Sequence, residues 1–243
     1  MLTSGSWPFA TPVFVESNVY NRKLGILVRG SREEIDPPVA PPLSVEQARV
    51  LYGAFLTDLF ARLSRLKKVS ATVFCAGEGP LFARDGIAGA FAVARQPDEA
   101  PGARFENAFR ALLDREGRHA CVMGSESPDL PLVYLKRAYV KLKHRDIVLG
   151  PTYGGGCYLI GLKRMVPGLF DDLPWGEPSL LGGMLRRVES AGLSCALLPP
   201  WYEVNTAESL SLFETMLLAR RIERKDRLPT VERVLESIRT RSG

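Results

Sequence analysis

Short, mainly apolar runs recur along this chain, and most are stopped within a residue or two by glycine, proline or an acid-bearing turn. Leu24–Arg29 closes at Gly30, Val69–Cys75 at Gly77-Glu78-Gly79-Pro80, Ala120–Met123 at Gly124, and Leu193–Leu198 at Pro199-Pro200. Runs of this length with such stops read as strands, and those rich in β-branched residues read so most clearly. The spacing between them is long enough for crossover connections, so helices are expected on both faces of a largely parallel sheet. Two stretches concentrate polar groups at strand ends. Met123–Pro131 joins a buried run to a turn with Glu126 and Asp129, and Gly150–Gly161 carries Gly154-Gly155-Gly156 into a second run. In open α/β sheets ligands bind outside the carboxyl ends of the strands, which is where these turns fall.

The intervening segments have helical spacing. Ser44-Val45-Glu46-Gln47 reads as a capping box opening a helix with Val50, Leu51, Ala54, Phe55, Leu59 and Leu63 on its apolar stripe. Further helices are expected over Arg104–Asp114, Leu132–Leu142, Glu177–Ser190, Ala207–Arg221 and Val231–Arg239, the third of them ending at Gly192, a favoured C′ residue. Shorter strands are expected at Phe91–Ala94, Ile147–Leu149 and Tyr158–Leu162. The prolines at 37, 38, 41 and 42 exclude both helix and central strand from the loop Ser31–Leu43. Residues 1–22 read as an extension in which Pro12–Val15 adds an edge strand, and 23–243 as one domain ending in helices.

At 243 residues the chain is long enough to bury a sizeable core, and its 46% hydrophobic and 24% charged content is ordinary for a globular protein. The net charge of +5 and pI near 9.1 come from basic residues spread over amphipathic stretches such as Leu135–Arg145 and Arg220–Arg227. No recognition motif stands beside them, so nucleic acid is not an expected partner, whereas anionic phosphate-bearing small molecules suit the positive balance. Cys75, Cys121, Cys157 and Cys195 form no CxxC pair, which argues against structural zinc and disulfides and for a reducing, cytoplasmic setting. No apolar stretch reaches membrane-spanning length.

Taken in order, the motifs resemble the bacterial GT-A-like glycosyltransferase family within the nucleotide-diphospho-sugar transferase superfamily. The residues that carry the resemblance are Gln96, Gly102 and Arg104, then Gly124–Pro131, then Gly150–Leu162. Leu169-Phe170 and Trp175 follow, and Glu203–Leu210 closes the pattern. The resemblance implies a three-layer α/β/α fold with a mostly parallel, twisted central sheet. It implies a GT-A-type glycosyltransferase-like activity on a nucleotide-sugar or nucleoside diphosphate. Phosphate or sugar would meet Arg29, Arg32, Arg104, the backbone of Gly154, Gly155 and Gly156, and Trp175. Mg²⁺ or Mn²⁺ would be held by Glu126, Glu203 and Asn205.

The departures from the family pattern weaken that metal site. The family's turn aspartate is Glu126 here, the aspartate of its Asp-Gly-Gly is Gly154, and its closing Asp-x-Asp is Glu203-Val204-Asn205. After the first strand, only Arg29 and Arg32 stand where a Lys/Arg-rich loop is expected. Mg²⁺ demands near-octahedral oxygen ligands at about 2.1 Å, so longer or neutral side chains should bind it less tightly. Two other readings follow: a non-catalytic binding or partner protein on the same fold, and a nucleotidyltransferase acting on a small phosphorylated acceptor. No catalytic residue is assigned. Asp129 reads as the cap of the helix beginning near Pro131. Trp201-Tyr202 reads either as a stacking platform or as closure of the sheet edge, and His119 and His144 as isolated histidines. Glu126, Gly154–Gly156 and Glu203–Asn205 are expected to converge on one cleft.

Overall fold

The central strands of the sheet are buried on both faces, which is why they read as nearly continuous apolar runs, whereas the edge strands are only half-buried. The computed structural model describes residues 20–28, 43–76, 91–96, 100–115 and 117–242. Their elements, in chain order, are β1 (Arg22–Val28), α1 (Val45–Leu63), β2 (Ser70–Ala76), β3 (Ala92–Gln96), α2 (Pro101–Leu112), β4 (His119–Met123) and α3 (Leu132–Leu142). The remainder are β5 (Ile147–Pro151), β6 (Cys157–Leu162), α4 (Leu180–Ser190), β7 (Cys195–Leu197), α5 (Ala207–Ile222) and α6 (Pro229–Ser242). The expected edge strand at Pro12–Val15, the proline loop Ser31–Pro42, the turn Gly77–Pro80 and both Arg29 and Arg32 lie outside the described residues.

The strands form one seven-stranded sheet in the order β3-β2-β1-β4-β6-β5-β7. Strand β1 is parallel to β2 and β4, β2 to β3, and β5 to β7. Only β6 runs the other way, antiparallel to both β4 and β5. Successive residues of a strand point to opposite faces, and β1 shows the consequence. Leu24, Ile26 and Val28 pack into the core built with α1, α3, α5 and α6, whereas Leu27 joins the core built with α2 and α4. Three layers result, as expected from the sequence.

Local chemistry explains the element ends. Ser44 accepts from the Gln47 N–H while the Gln47 side chain accepts from the Ser44 N–H, so the capping box is complete. Gly192 stands just beyond Ala191, the C-cap of α4, at φ +62°, a conformation that favours glycine. Helix α2 begins three residues earlier than its apolar pattern indicates, because Pro101 occupies its first turn, where a missing N–H costs nothing. Gly102 therefore lies inside the helix, where a Cβ would meet the Phe170 carbonyl at 2.7 Å and Trp175 Nε1 at 2.8 Å. Helix α4 begins later, at Leu180, since Glu177–Leu180 is a turn closed by Leu180 N–H on the Glu177 carbonyl.

Candidate functional site

The chain reverses between β5 and β6 through Thr152–Gly156, and this hairpin builds one wall of the site. The Thr152 N–H donates to the Gly156 carbonyl at 2.9 Å, and Gly156 N–H donates to Thr152 Oγ1 at 2.8 Å. Gly154 and Gly156 border the cavity, but Gly155 does not. It sits at φ +82° with its ideal Cβ position only 2.0 Å from the Pro178 carbonyl oxygen, and its own carbonyl accepts from Leu181 N–H. The middle glycine serves close packing beneath α4, so two of the three glycines expected to line the cleft border the cavity and the third does not.

A second wall comes from the turn after β4 and the loop before α5, which are far apart in sequence and tied together by hydrogen bonds. Val204 N–H donates to the Glu126 carbonyl at 2.8 Å, and Ser127 Oγ donates to the Tyr202 carbonyl at 2.8 Å. Ser125 Oγ is bonded to Tyr52 of α1 at 2.7 Å. Glu126, Glu203 and Asn205 all border the same cavity, as expected. The Glu126 carboxylate accepts from Ser125 N–H at 3.1 Å and crowds Gly124, where a Cβ would lie 2.7 Å from Oε2. Beside Glu203, burial and then the Glu203 charge raise the Cys157 thiol to about 12. At neutral pH this favours the protonated thiol over the nucleophilic thiolate.

The remaining walls come from α2 and the segment before α4. Arg104 lies inside α2 and donates through Nη2 to the Val28 carbonyl, 2.8 Å away at the carboxyl end of β1. Its buried Nε has no hydrogen-bond partner among the described residues, and no described acid pairs with it. Trp175 stacks on Phe105 with ring centroids 5.0 Å apart and an interplanar angle of 18°, and both rings border the cavity. The cavity so enclosed measures about 450 Å³, within the range of small-molecule sites. One side presents the Glu126 and Glu203 carboxylates, the Asn205 amide and the Thr152 hydroxyl; the other presents aromatic and aliphatic surface together with the charged side chains of Arg104 and Glu177.

One expectation is corrected here, and one open choice is decided. Asp129 caps nothing: Pro131 is the N-cap of α3 and makes no side-chain cap bond. Asp129 is instead fully buried, accepting from Trp201 Nε1 at 3.1 Å, Tyr202 Oη at 2.6 Å and Arg220 Nη2 at 3.4 Å. Burial and the Asp129 charge push the Tyr202 hydroxyl far above its usual range, so it remains a donor to that carboxylate. Trp201 and Tyr202 are thus committed to the scaffold, and Trp201 pairs with Thr152 to extend the sheet edge. His119 lies at the amino end of β4, where burial and then Lys163 lower its pKa. His144 is exposed after α3, and neither histidine borders the cavity.

Sequence reading missed Thr152 and Cys157 as lining residues, and it missed the buried cation that braces the β4 turn from behind. Arg62 of α1 donates to the carbonyls of Pro128 at 2.6 Å and Leu130 at 2.9 Å while pairing with Asp226. A charged residue set between Leu59 and Leu63 on an otherwise apolar stripe was the available signal.

The fold, a mostly parallel seven-stranded sheet between two helical layers, is that of solved nucleotide-diphospho-sugar transferase-like proteins. A protein of Desulfovibrio desulfuricans G20, provisionally assigned as a nucleotide-diphospho-sugar transferase, superposes with a TM-score of 0.76 at 22% identity. The match covers 91% of this chain and 98% of that one. A 4-diphosphocytidyl-2C-methyl-D-erythritol synthase superposes at 0.52 with 12% identity, covering 81% and 98%. The enzyme of the same name from Anaerococcus prevotii DSM 20548 superposes at 0.50 with 11% identity, covering 82% and 97%. Within that class, residues 59–177, from the last turn of α1 to the segment before α4, match the family described as "uncharacterized protein conserved in bacteria (DUF2064)". No curated protein matches the chain. Among the described residues, no helix is long and apolar enough to cross a membrane.

Proposed function

We propose that this chain is a GT-A-type glycosyltransferase-like protein that binds a nucleotide-sugar through its diphosphate. The observation that carries the reading is the convergence of Glu126, Glu203, Asn205, Arg104 and Trp175 on one cavity. Each has a distinct part. Arg104 is fixed at the end of β1 with an Nε that is buried and unpartnered among the described residues, a donor suited to a phosphate oxygen. Trp175, stacked on Phe105, offers an apolar face to a base, a sugar or an acceptor. The solved proteins of this fold named above carry a nucleotide-diphospho-sugar or a diphosphocytidyl group in their names, in keeping with a diphosphate ligand.

Glu126, Glu203 and Asn205 are hard oxygen donors, the chemistry that Mg²⁺ and Mn²⁺ accept. They would hold such an ion with two charges, and among the described residues no three acidic, histidine or cysteine side chains gather as a fuller ligand set. A bound ion would neutralise charge building on the departing phosphate. The side chains of the cavity bind and orient. Val204 N–H on the Glu126 carbonyl fixes the two acids relative to each other, and the aromatic wall keeps water from one side of the ligand.

One observation favours a second reading, binding without turnover. At Gly154 an ideal Cβ has only Thr152 Oγ1 within 4 Å, at 3.9 Å, and φ is not positive there, so room for the family's aspartate exists but no acid fills it. A thermal-shift screen of nucleoside diphosphates and nucleotide-sugars, with and without Mn²⁺, tests the proposal. At about a hundredfold excess over Kd a true ligand should raise Tm by roughly 5–10 °C. The expected result is a shift with at least one nucleoside diphosphate that grows with Mn²⁺. No shift with any nucleotide would overturn it. Binding without any sugar transfer to an acceptor would favour the second reading.

A further inference from the structure

The whole chain carries a formal charge of +5. The segment Leu132–Arg145, which is α3 and the turn after it, holds Lys136, Arg137, Lys141, Lys143 and Arg145 and no acid, so it accounts for the entire surplus. The fold sorts this helix into two faces. Leu135, Ala138, Tyr139 and Leu142 are buried against the sheet. Positions 133, 136, 137, 140, 143 and 144 recur at helical spacing and are exposed. Two of these are apolar: Val133 is 46% exposed and Val140 57%. Beside them the edge strand β7 leaves Leu197 46% exposed, and Leu197 shares an open depression with Lys136, Arg137, Val140 and Lys141. Among the described residues none of the five cations is ion-paired.

We propose that this face docks the protein reversibly onto an anionic membrane surface. Lys136, Arg137 and Lys143 would meet lipid phosphates, and Val133, Val140 and Leu197 would enter the headgroup layer. Charge complementarity selects an anionic partner, since each cation near such a surface adds to the attraction. The interleaved aliphatic side chains select a bilayer over a nucleic acid. A phosphate backbone gives Val133 and Val140 nothing to bury in, and among the exposed positions of the face only His144 offers a ring to a base. Attachment would be peripheral, because no described helix is suited to crossing the bilayer. None of these residues borders the candidate site, so its cavity and this face are separate surfaces, and the inference does not rest on the nucleotide reading.

Co-sedimentation of the full chain with phosphatidylcholine vesicles, with and without phosphatidylglycerol, tests it. At low salt the wild type should prefer the anionic vesicles by about tenfold or more and lose that preference at high salt. The triple variant K136E/R137E/K143E, with circular dichroism and Tm unchanged, should bind them at least about tenfold more weakly. Val133→Ser/Val140→Ser should weaken binding several-fold with the charges intact. The proposal is overturned if the wild type does not sediment with anionic vesicles, or if the charge-reversed variant sediments equally well. It is also overturned if the serine variant binds vesicles like the wild type while the wild type prefers polyuridylate, which would make this a nucleic-acid surface.

Discussion

Adjacent glycines in the β5–β6 hairpin do different work, and the difference is measurable. Gly154 has ordinary backbone geometry and open space around its missing side chain, whereas Gly155 combines φ +82° with a carbonyl where its Cβ would go. Gly154→Ala should change stability by no more than about 0.5 kcal/mol. Gly155→Ala should cost about 2–4 kcal/mol, from the left-handed backbone and the collision with Pro178 together. Urea denaturation of the two variants checks this, and equal stabilities would mean that the hairpin is not held against α4. The same contrast explains why Gly154→Asp is a usable probe of the site. Single residues were legible where the chemistry is local: the Ser44 box and Gly192 follow from neighbours within a few positions. Asp129 was not. Its partners Trp201, Tyr202 and Arg220 lie 72, 73 and 91 positions away, so its proximity to a helix start suggested a cap that the fold does not make.

Among the elements, α1 and α6 illustrate how the site is braced from a distance. Asp58 of α1 is buried and accepts from both Thr230 N–H and Val231 N–H at 2.9 Å, satisfying donors in the first turn of α6. Asp58→Ala should therefore destabilise the protein by about 1–2 kcal/mol, read as a lower urea midpoint with an unchanged slope. A wild-type midpoint would show that the α1–α6 junction adds nothing. On the neighbouring turn of α1, Arg62 holds the Pro128 and Leu130 carbonyls, so the helix behind the sheet fixes the turn that carries Glu126. Helix α3 was readable to the residue because its buried positions keep strict helical spacing between a proline and a polar turn. The ends of α2 and α4 were less legible, since Pro101 and Pro178 each fit either a loop or a first turn. Strand β6 was found in place, but its direction was not read from the sequence. The loop of glycines looked like a ligand wall, and its length also suits a hairpin.

At the scale of the whole molecule, the sheet order explains why remote segments share one cavity. With β1, β4, β6 and β5 adjacent, the turn after β4, the β5–β6 hairpin and the end of β1 meet at one edge, and the loop before α5 is tied there through Glu126 and Tyr202. That convergence was legible because parallel strands deliver their carboxyl ends to one side. The aromatic wall was legible only in part: Trp175 was singled out, but its support by Phe105 depends on Gly102 allowing close approach of α2.

The central claim is that Glu126, Glu203 and Asn205 hold a divalent ion together with a nucleoside diphosphate. Calorimetric titration of a nucleoside diphosphate into the protein with Mn²⁺, with Mg²⁺ and with neither tests it most directly. Wild type should bind more tightly with Mn²⁺ than without. Glu126→Gln should lose most of that gain while its metal-free binding is kept. Gly154→Asp/Asn205→Asp should strengthen the Mn²⁺-dependent binding by about tenfold or more, since the hairpin has room for the added carboxylate and charge count sets affinity at such sites. Equal Mn²⁺-dependent binding by wild type and Glu126→Gln, with no gain in the double variant, would contradict the account.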